Sequence, residues 1–286
     1  MEGAAAAAFV SSVRKQFDRN PVWVPGTEMR LGDIGLVRDG CWQLQTTLAD
    51  LDKPIAFKVR KDSTKTKSIE VDSGDGVETS LRASASSTVP PLQGVAEGNA
   101  GLGLSFSGTG QFSIRVYGVV VNVLSNLASI EREMLDRFSG PDGIGQSWKA
   151  DWAVVSEVMI ADRGLVTVAS KAGAECVLDL GVKLGTEHVS LGDASVDASI
   201  VHQAHMAAAY QFAEPTVVMY RARRLKTGLF TSPKVVDAIR SLNAIAGLIW
   251  GNSRGAHDVL DDGRGAGTTS WSTSYLGRCV RRTDSP

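Results

Sequence analysis

Four histidines and three cysteines are the residues of this 286-residue chain best suited to metal or nucleophilic chemistry. His202 and His205 have HxxH spacing, which puts both on one side of a helix but on opposite faces of a strand. No third ligand stands near them, and a catalytic zinc takes three protein ligands. His188 and His257 stand alone. Cys41, Cys176 and Cys279 are odd in number and have no CxxC spacing, which argues against a disulfide scaffold and a cysteine-rich zinc site. The stretch GLSFS at 103–107 lacks the second glycine of a nucleophile elbow. Glycines 101, 103, 108 and 110 do not spell a dinucleotide fingerprint, and no phosphate-loop motif occurs. DVLDDGRG at 258–265 lacks the spacing and closing Glu of a calcium loop. Glu131 and Glu133, two apart on a helix, point away from each other. The expectation is a protein that is not an enzyme and needs no metal or cofactor.

Charge offers a second kind of chemistry. Lys53, Lys58, Arg60, Lys61, Lys65 and Lys67 form one basic cluster, and Arg221, Arg223, Arg224 and Lys226 another. Residues 221–286 hold 11 Lys/Arg against 5 Asp/Glu, while residues 1–220 hold 19 against 26. A basic C-terminal quarter on an acidic body fits an intramolecular clasp or an anionic partner. Stacking aromatics are scarce in both clusters and the pI is about 6.4, which argues against a nucleic-acid partner. Acidic lipid head groups suit such patches.

The elements that must position these residues follow from periodicity. Phe9, Val10, Val13 and Phe17 recur at helical spacing, and Asn20-Pro21 ends that helix. VWVPGTEMRLGDIGLV reads as short strands and turns, and Cys41–Leu51 as a further strand, with another starting at Pro54. Residues 77–85 alternate. Leu102, Leu104, Phe106, Phe112, Ile114 and Val116 share one face of a fifteen-residue alternation, with Ser105, Ser107, Thr109, Gln111 and Ser113 on the other. This predicts one long amphipathic strand kinked at its glycines. Val120 to Phe138 fits a helix of about five turns, stopped by Ser139-Gly140-Pro141. WAVVSEVMIA and GLVTVAS predict a hairpin turning at Asp162-Arg163-Gly164. Leu178, Leu180 and Val182 alternate with Asp179 and Lys183, 193–200 alternates again, and TVVMYRARRL is the last strand. Ser232-Pro233 supplies an N-cap and first-turn proline for a helix over about 233–250. Residues 251–286 are rich in Gly, Ser, Thr and Arg and read as a flexible segment.

No run of about 18 apolar residues is present, so no transmembrane helix is expected. The alanine-then-basic N-terminus has the reverse order of a secretory signal, which predicts a cytoplasmic, reduced protein. A transmembrane strand needs about 9–11 residues with one apolar and one polar face, and 102–116 supplies that. Only a closed barrel satisfies backbone groups in lipid, so a subunit with two such hairpins would have to oligomerise. Two stacked sheets would show the same alternation.

The order of parts resembles the pore-forming domain of the gasdermin family. That family opens with an amphipathic helix and a short basic, membrane-facing stretch, matched in position and character by Phe9 to Arg19. VWVPGTEMRLGDIGLV is similar to its early strand, and NAGLGLSFSGTGQFSIRVYGVVVNVL to its Gly-rich strand running into a helix. WAVVSEVMIADRGLVTVAS, with Val154-Val155-Ser156-Glu157-Val158, resembles its V-V-[ST]-E-V strand and following hairpin. TVVMYRARRL resembles the strand that closes the domain. The likeness of pattern covers most of residues 9–226. Bacterial members carry an acylated cysteine within their first few residues. The first cysteine here is Cys41, so that anchor is not carried over.

The resemblance implies an α+β fold: a twisted, mainly antiparallel sheet with packed helices, plus a short helical and Gly-rich C-terminal tail. It implies a pore-forming domain over 1–227 and an inhibitory tail over 228–286, nearer in length to the short tails of bacterial members than to animal repressor domains. It further implies an autoinhibited protein, cytoplasmic when inactive. On activation it would form homo-oligomers in the cell membrane and cause regulated cell death, in a microbe as defence against phage. Segments 77–117 and 165–201 would become the membrane-spanning hairpins. Lipid-facing residues would be Leu102, Leu104, Phe106, Phe112, Ile114, Val116, Leu178, Leu180 and Val182, with Ser105, Ser107, Thr109, Gln111, Ser113, Asp179 and Lys183 facing the lumen. Arg14, Lys15, Arg19, Lys58, Arg60 and Lys61 would contact acidic lipids. Val235, Val236, Ile239, Leu242, Ile245, Leu248 and Ile249 would form the brake. Arg254 and Arg264, or Asp258, Asp261 and Asp262, would be the sites for an activating protease. Two other classes remain open: a β-rich structural or assembly protein such as a virion component, and a hydrolase with an unrecognised site.

Overall fold

The computed structural model describes residues 2–23, 26–38, 41–61, 66–83, 100–139, 148–179, 199–228 and 231–238. Helix α1, Glu2–Phe17, begins seven residues before Phe9 because a run of alanines, the best helix formers, precedes it. Ala5, Ala6, Phe9, Val10 and Val13 form its buried stripe. The Asp18 N–H donates to the Arg14 carbonyl at 2.9 Å, and Asp18 takes φ +52°. That left-handed residue ends the helix and turns the chain into β1, Asn20–Pro21.

The remaining elements are β2 Asp33–Arg38, β3 Cys41–Thr47, β4 Val59–Lys61, β5 Thr66–Asp72, β6 Val77–Ala83, β7 Ala100–Phe106, β8 Phe112–Leu124, α2 Leu127–Ser139, β9 Ala153–Ala161, β10 Arg163–Ala169, β11 Ala174–Asp179, β12 Ser199–Ala204, β13 Met206–Phe212, β14 Thr216–Gly228 and β15 Thr231–Asp237. Among the described residues the larger sheet runs β1-β14-β9-β8-β10-β13. Strand β15 adds to β14, β2 with β3 to β9, and β4 and β5 to β8. The smaller sheet runs β12-β11-β7-β6. Every pairing among the described residues is antiparallel.

Four expectations are corrected. The fifteen-residue strand over 102–116 is two strands, β7 and β8, in different sheets, joined by a corner at 107–111. Gly110 takes φ +73° there, and a Cβ on it would lie 2.5 Å from the Ala8 Cβ, so the corner sits directly under α1. The predicted hairpin at Asp162-Arg163-Gly164 does not turn back. Strands β9 and β10 both lie along the same edge of β8 and do not pair with each other. The helix expected from Val120 starts only at Leu127, because Val120–Leu124 continues β8, held by β9 on one edge and β4 on the other. Finally, Thr231–Asp237 is a strand on the edge of β14 rather than the start of a helix, with Leu225 opposite Val235. Residues 239–250 of that expected helix lie outside the described residues.

Three apolar clusters position the functional segments. Phe9, Val10 and Val13 of α1 pack on Phe112, Ile114, Val116, Val166 and Val168. Leu102, Leu104 and Phe106 of β7, with Cys176 and Leu178 of β11, pack on Leu165 and Ala169 of β10. Ile130 and Met134 of α2 pack on Ile34, Leu48, Leu124 and Val154 at the other end.

Candidate membrane-inserting hairpins and basic surface

The backbone registers reveal how the hairpin segments are related. Residues 100–124 run antiparallel to 153–179 through both sheets. The pairs are Gly101↔Asp179 and Phe106↔Ala174, then Phe112↔Val168 and Arg163↔Tyr117, then Val120↔Ile160 and Val123↔Glu157. Both strands advance by the same number of residues between the first and last of these pairs. Backbone bonds bridge the corner itself: Gly110 N–H to the Ala169 carbonyl at 2.9 Å, Ala169 N–H to Gln111 at 2.8 Å, and Gly173 N–H to Phe106 at 2.8 Å. The register is therefore the same on both sides of the corner, where strand pairing stops at Phe106↔Ala174 and resumes at Phe112↔Val168.

The outer strands follow this ladder with slips at the same corner. Between Asp72↔Ser113 and Val77↔Phe106 the outer strand advances five residues while the inner advances seven. Between Ala169↔Met206 and Glu175↔Ala204 the outer strand covers two residues against six. His205, φ +56°, marks that second slip. The order across the sheet is thus 66–83, 100–124, 153–179 and 199–212, each neighbour antiparallel, with the outer edges of β6 and β12 carrying no strand among the described residues.

On this ladder Leu102, Leu104, Phe106, Phe112, Ile114 and Val116 keep one parity throughout. All six are at most 2% exposed, as is required of a core rather than of a loosely held surface. Their cover changes at the corner, from β10 for the first three to α1 for the others. Leu178 is buried with the first group. Leu180, Val182 and Lys183 lie outside the described residues. On the opposite parity Ser107 and Thr109 are exposed, Ser105 and Gln111 half-buried, and Ser113 and Asp179 buried.

The basic residues expected to meet lipid divide into two groups. Lys15, Lys58, Arg60 and Lys61 are exposed. Arg14 and Arg19 are engaged in the protein. The Arg14 Nε donates to Asn20 Oδ1 at 2.6 Å, and burial pulls its pKa down, partly offset by the nearby Tyr220 and Asp237. Burial likewise pushes the Tyr220 hydroxyl up to about 12, with Arg14 opposing it. Arg19 Nε reaches Glu157 Oε1 at 2.5 Å, and Arg221 lies 3.6 Å from the other Glu157 oxygen while bonding Asp18 Oδ2 at 2.8 Å. Glu157 therefore ties the exit of α1 to β9 and β14. The sequence signalled it only as the Glu of Val154–Val158. Beside it, Asp18, Arg221, Arg223, Lys226, Lys234, Val236 and Asp237 line an open cleft of about 510 Å³. Burial lowers the pKa of the neighbouring Arg224.

The brake and cleavage expectations are largely out of view. Val235 and Val236 are half-buried on β15. Ile239, Leu242, Ile245, Leu248, Ile249, Arg254, Asp258, Asp261, Asp262 and Arg264 lie outside the described residues, as do Cys279, His188 and His257. The boundary between 227 and 228 falls inside the last residues of β14 and would part it from β15, whose Asp237 pairs with Arg223 and Lys234 with Lys226. Among the described residues no three His, Cys, Asp or Glu side chains converge as a metal site. Among them also no helix is long and apolar enough to cross a membrane.

No protein-family model and no curated protein matches the chain. Among solved structures, a bacterial gasdermin from Bradyrhizobium tropiciagri is similar at TM-score 0.34 and 13% identity, over 81% of this chain and 90% of that one. The cryo-EM structure of the gasdermin A3 membrane pore is similar at TM-score 0.33 and 14% identity, over 82% of this chain and 94% of that one. Both carry the name of the family that the order of parts in the sequence resembles.

Proposed function

We propose that the chain is an autoinhibited pore-forming protein whose bent four-strand ladder straightens into two membrane-spanning hairpins on activation. The observation that carries this reading is the constant register of 101–123 against 157–179. The inner pair would keep all its present partners as it becomes straight, adding only those of 107–111 with 169–173. Straightened, its apolar parity becomes one stripe from Leu102 to Val116, about 50 Å at 3.3 Å per residue, against a hydrocarbon core of about 30 Å. Four strands with open outer edges cannot stand alone in lipid, so copies would join β6 edge to β12 edge until a barrel closes. An even strand number keeps every such junction antiparallel.

In this reading α1 and the inner cluster are the covers that must leave, and acidic lipid is the surface that draws the exposed Lys15, Lys58, Arg60 and Lys61. Arg14 and Arg19 join only once the Asn20 and Glu157 bonds open. The tail restrains the change. Because β15 is part of the sheet, the restraining segment is taken to begin after Ala238, and membrane permeabilisation with death of the cell is the outcome of its removal. The test is dye release from acidic and neutral liposomes by the full chain and by a chain ending after Ala238. Circular dichroism would establish that both are folded. The shorter chain should release dye from acidic liposomes at concentrations where the full chain does not. A folded shorter chain without effect on either liposome rejects the reading in favour of an assembly protein.

A further inference from the structure

Besides the local bonds of Gln111 and Ser73 at the corner, one polar side chain reaches across it from β8 to β6. Arg115 of β8 is 11% exposed and reaches three partners on two strands. Its Nη1 lies 3.2 Å from Glu70 Oε2, and its Nη2 lies 2.7 Å from Asp72 Oδ2, both on β5. The same Nη2 donates to Thr79 Oγ1 of β6 at 3.4 Å. Glu70 also accepts from the Tyr117 hydroxyl at 3.2 Å, fixing the acceptor. In the register of the two strands Glu70 stands directly opposite Arg115, so that contact belongs to any form of the ladder. Thr79 stands opposite Leu104, eleven residues along β7–β8 from Arg115. On a straight ladder that separation is about 36 Å, several times the reach of an arginine side chain. The Arg115–Thr79 contact can exist only while the corner is bent.

We propose that Arg115 is the clamp that keeps β6 and β7 folded over β8, and so sets the threshold for straightening. This rests on the pore-forming reading for its consequence, but not for its geometry. A guanidinium fork suits the role because it satisfies β5 and β6 at once. On straightening it keeps Glu70 and gives up Thr79, so the clamp opens without leaving an unpaired charge. Its Nε has no hydrogen-bond partner among the described residues, which leaves the side chain seated by its two terminal nitrogens alone.

Hydrogen exchange of the full chain in solution, without membrane, tests the clamp itself. Thr79→Val removes only the corner contact and should raise exchange of amides 77–83 and 101–106 about fivefold, the factor expected for one lost hydrogen bond. Arg115→Met should raise it more than tenfold, with Arg115→Lys in between, while amides of α2 stay unchanged. Unchanged exchange at 77–83 in Thr79→Val and Arg115→Met overturns the clamp. The same substitutions in the chain ending after Ala238 should lower the concentration for half-maximal dye release by similar factors. Faster exchange with no release by any chain, the unsubstituted one included, supports the clamp and rejects the pore reading. Release by the unsubstituted shorter chain at the same concentration as its variants overturns the clamp as a brake.

Discussion

At the scale of residues, the buried apolar side chains of β7 and β8 would, in the proposed function, do two jobs that conflict experimentally. Phe106 and Ile114 are the natural positions for a charge that would forbid lipid contact, yet both lie in cores of this conformation. Phe106→Ala should cost about 3–5 kcal/mol, read from urea denaturation, and Phe106→Asp should fail to fold. Loss of dye release by that variant would thus say nothing about lipid. Glu157 is the more informative charge. Glu157→Gln removes the negative charge and one of the two oxygens that face Arg19 and Arg221, and should cost about 1.5–3 kcal/mol, with faster hydrogen exchange over residues 14–21. A variant as stable as the parent would mean that the ion pairs do not hold α1. Asp33 supplies a pH signature. Burial raises its carboxyl above the ordinary 3.8, opposed by the Arg30 N–H donating to it at 2.7 Å. A raised acid binds its proton more tightly folded than unfolded, so its stabilising share is present below 3.8 and is lost as pH climbs through the folded-state value. Asp33→Asn should flatten that part of the Tm-against-pH curve, and an unchanged curve would remove the assignment.

At the scale of elements, α1 and the corner are one unit. Gly110 serves both its own positive φ and the close approach of Ala8. Gly110→Ala should lose more than about 1–2 kcal/mol, the cost of a Cβ in the left-handed region, because the added methyl also meets the helix. Ala8→Gly in the same chain removes the clash and should regain part of the loss, although it also weakens the helix. If the pair simply adds, the helix does not rest on the corner. The small side chain of Ala8 is what lets the corner approach the helix. Only Phe9 to Phe17 carries the periodicity that marks the helix in sequence.

At the scale of the whole molecule, the bent ladder makes a prediction about register. Ser105 and Glu175 are directly partnered on β7 and β11. Joining Ser105→Cys to Glu175→Cys with a short thiol crosslinker should leave dye release by the chain ending after Ala238 intact, because the inner pair keeps its partners when the corner opens. Loss of release on crosslinking, restored by a cleavable linker, would show that the inner register changes. The outer strands carry register irregularities at 73–76 and at 205, and in the proposed conversion these are the places that would rearrange.

What the sequence determined by itself is the parity of the strands. Alternation is local to a pleated backbone, so Leu102 to Val116 shows one apolar face whether or not the strand bends. Punctuation by Ser139-Gly140 is equally local, and α2 ends at Ser139, whereas α1 ends at Phe17, before Asn20-Pro21, because Asp18 turns left-handed. The tertiary structure decided where the ladder turns, since that depends on what covers each half: α1 over Phe112 to Val116, and Leu165 and Ala169 over Leu102 to Phe106. It also decided between two periods that the same residues satisfy. Val120 to Leu124 and Val235 to Asp237 fit a helix as well as a strand. They are strands because β9, β4 and β14 present backbone groups that a helix would have left unpaired. Arg115 shows the same division: its polar face was legible, but the three partners that make it a clamp come together only when residues far apart along the ladder are folded side by side.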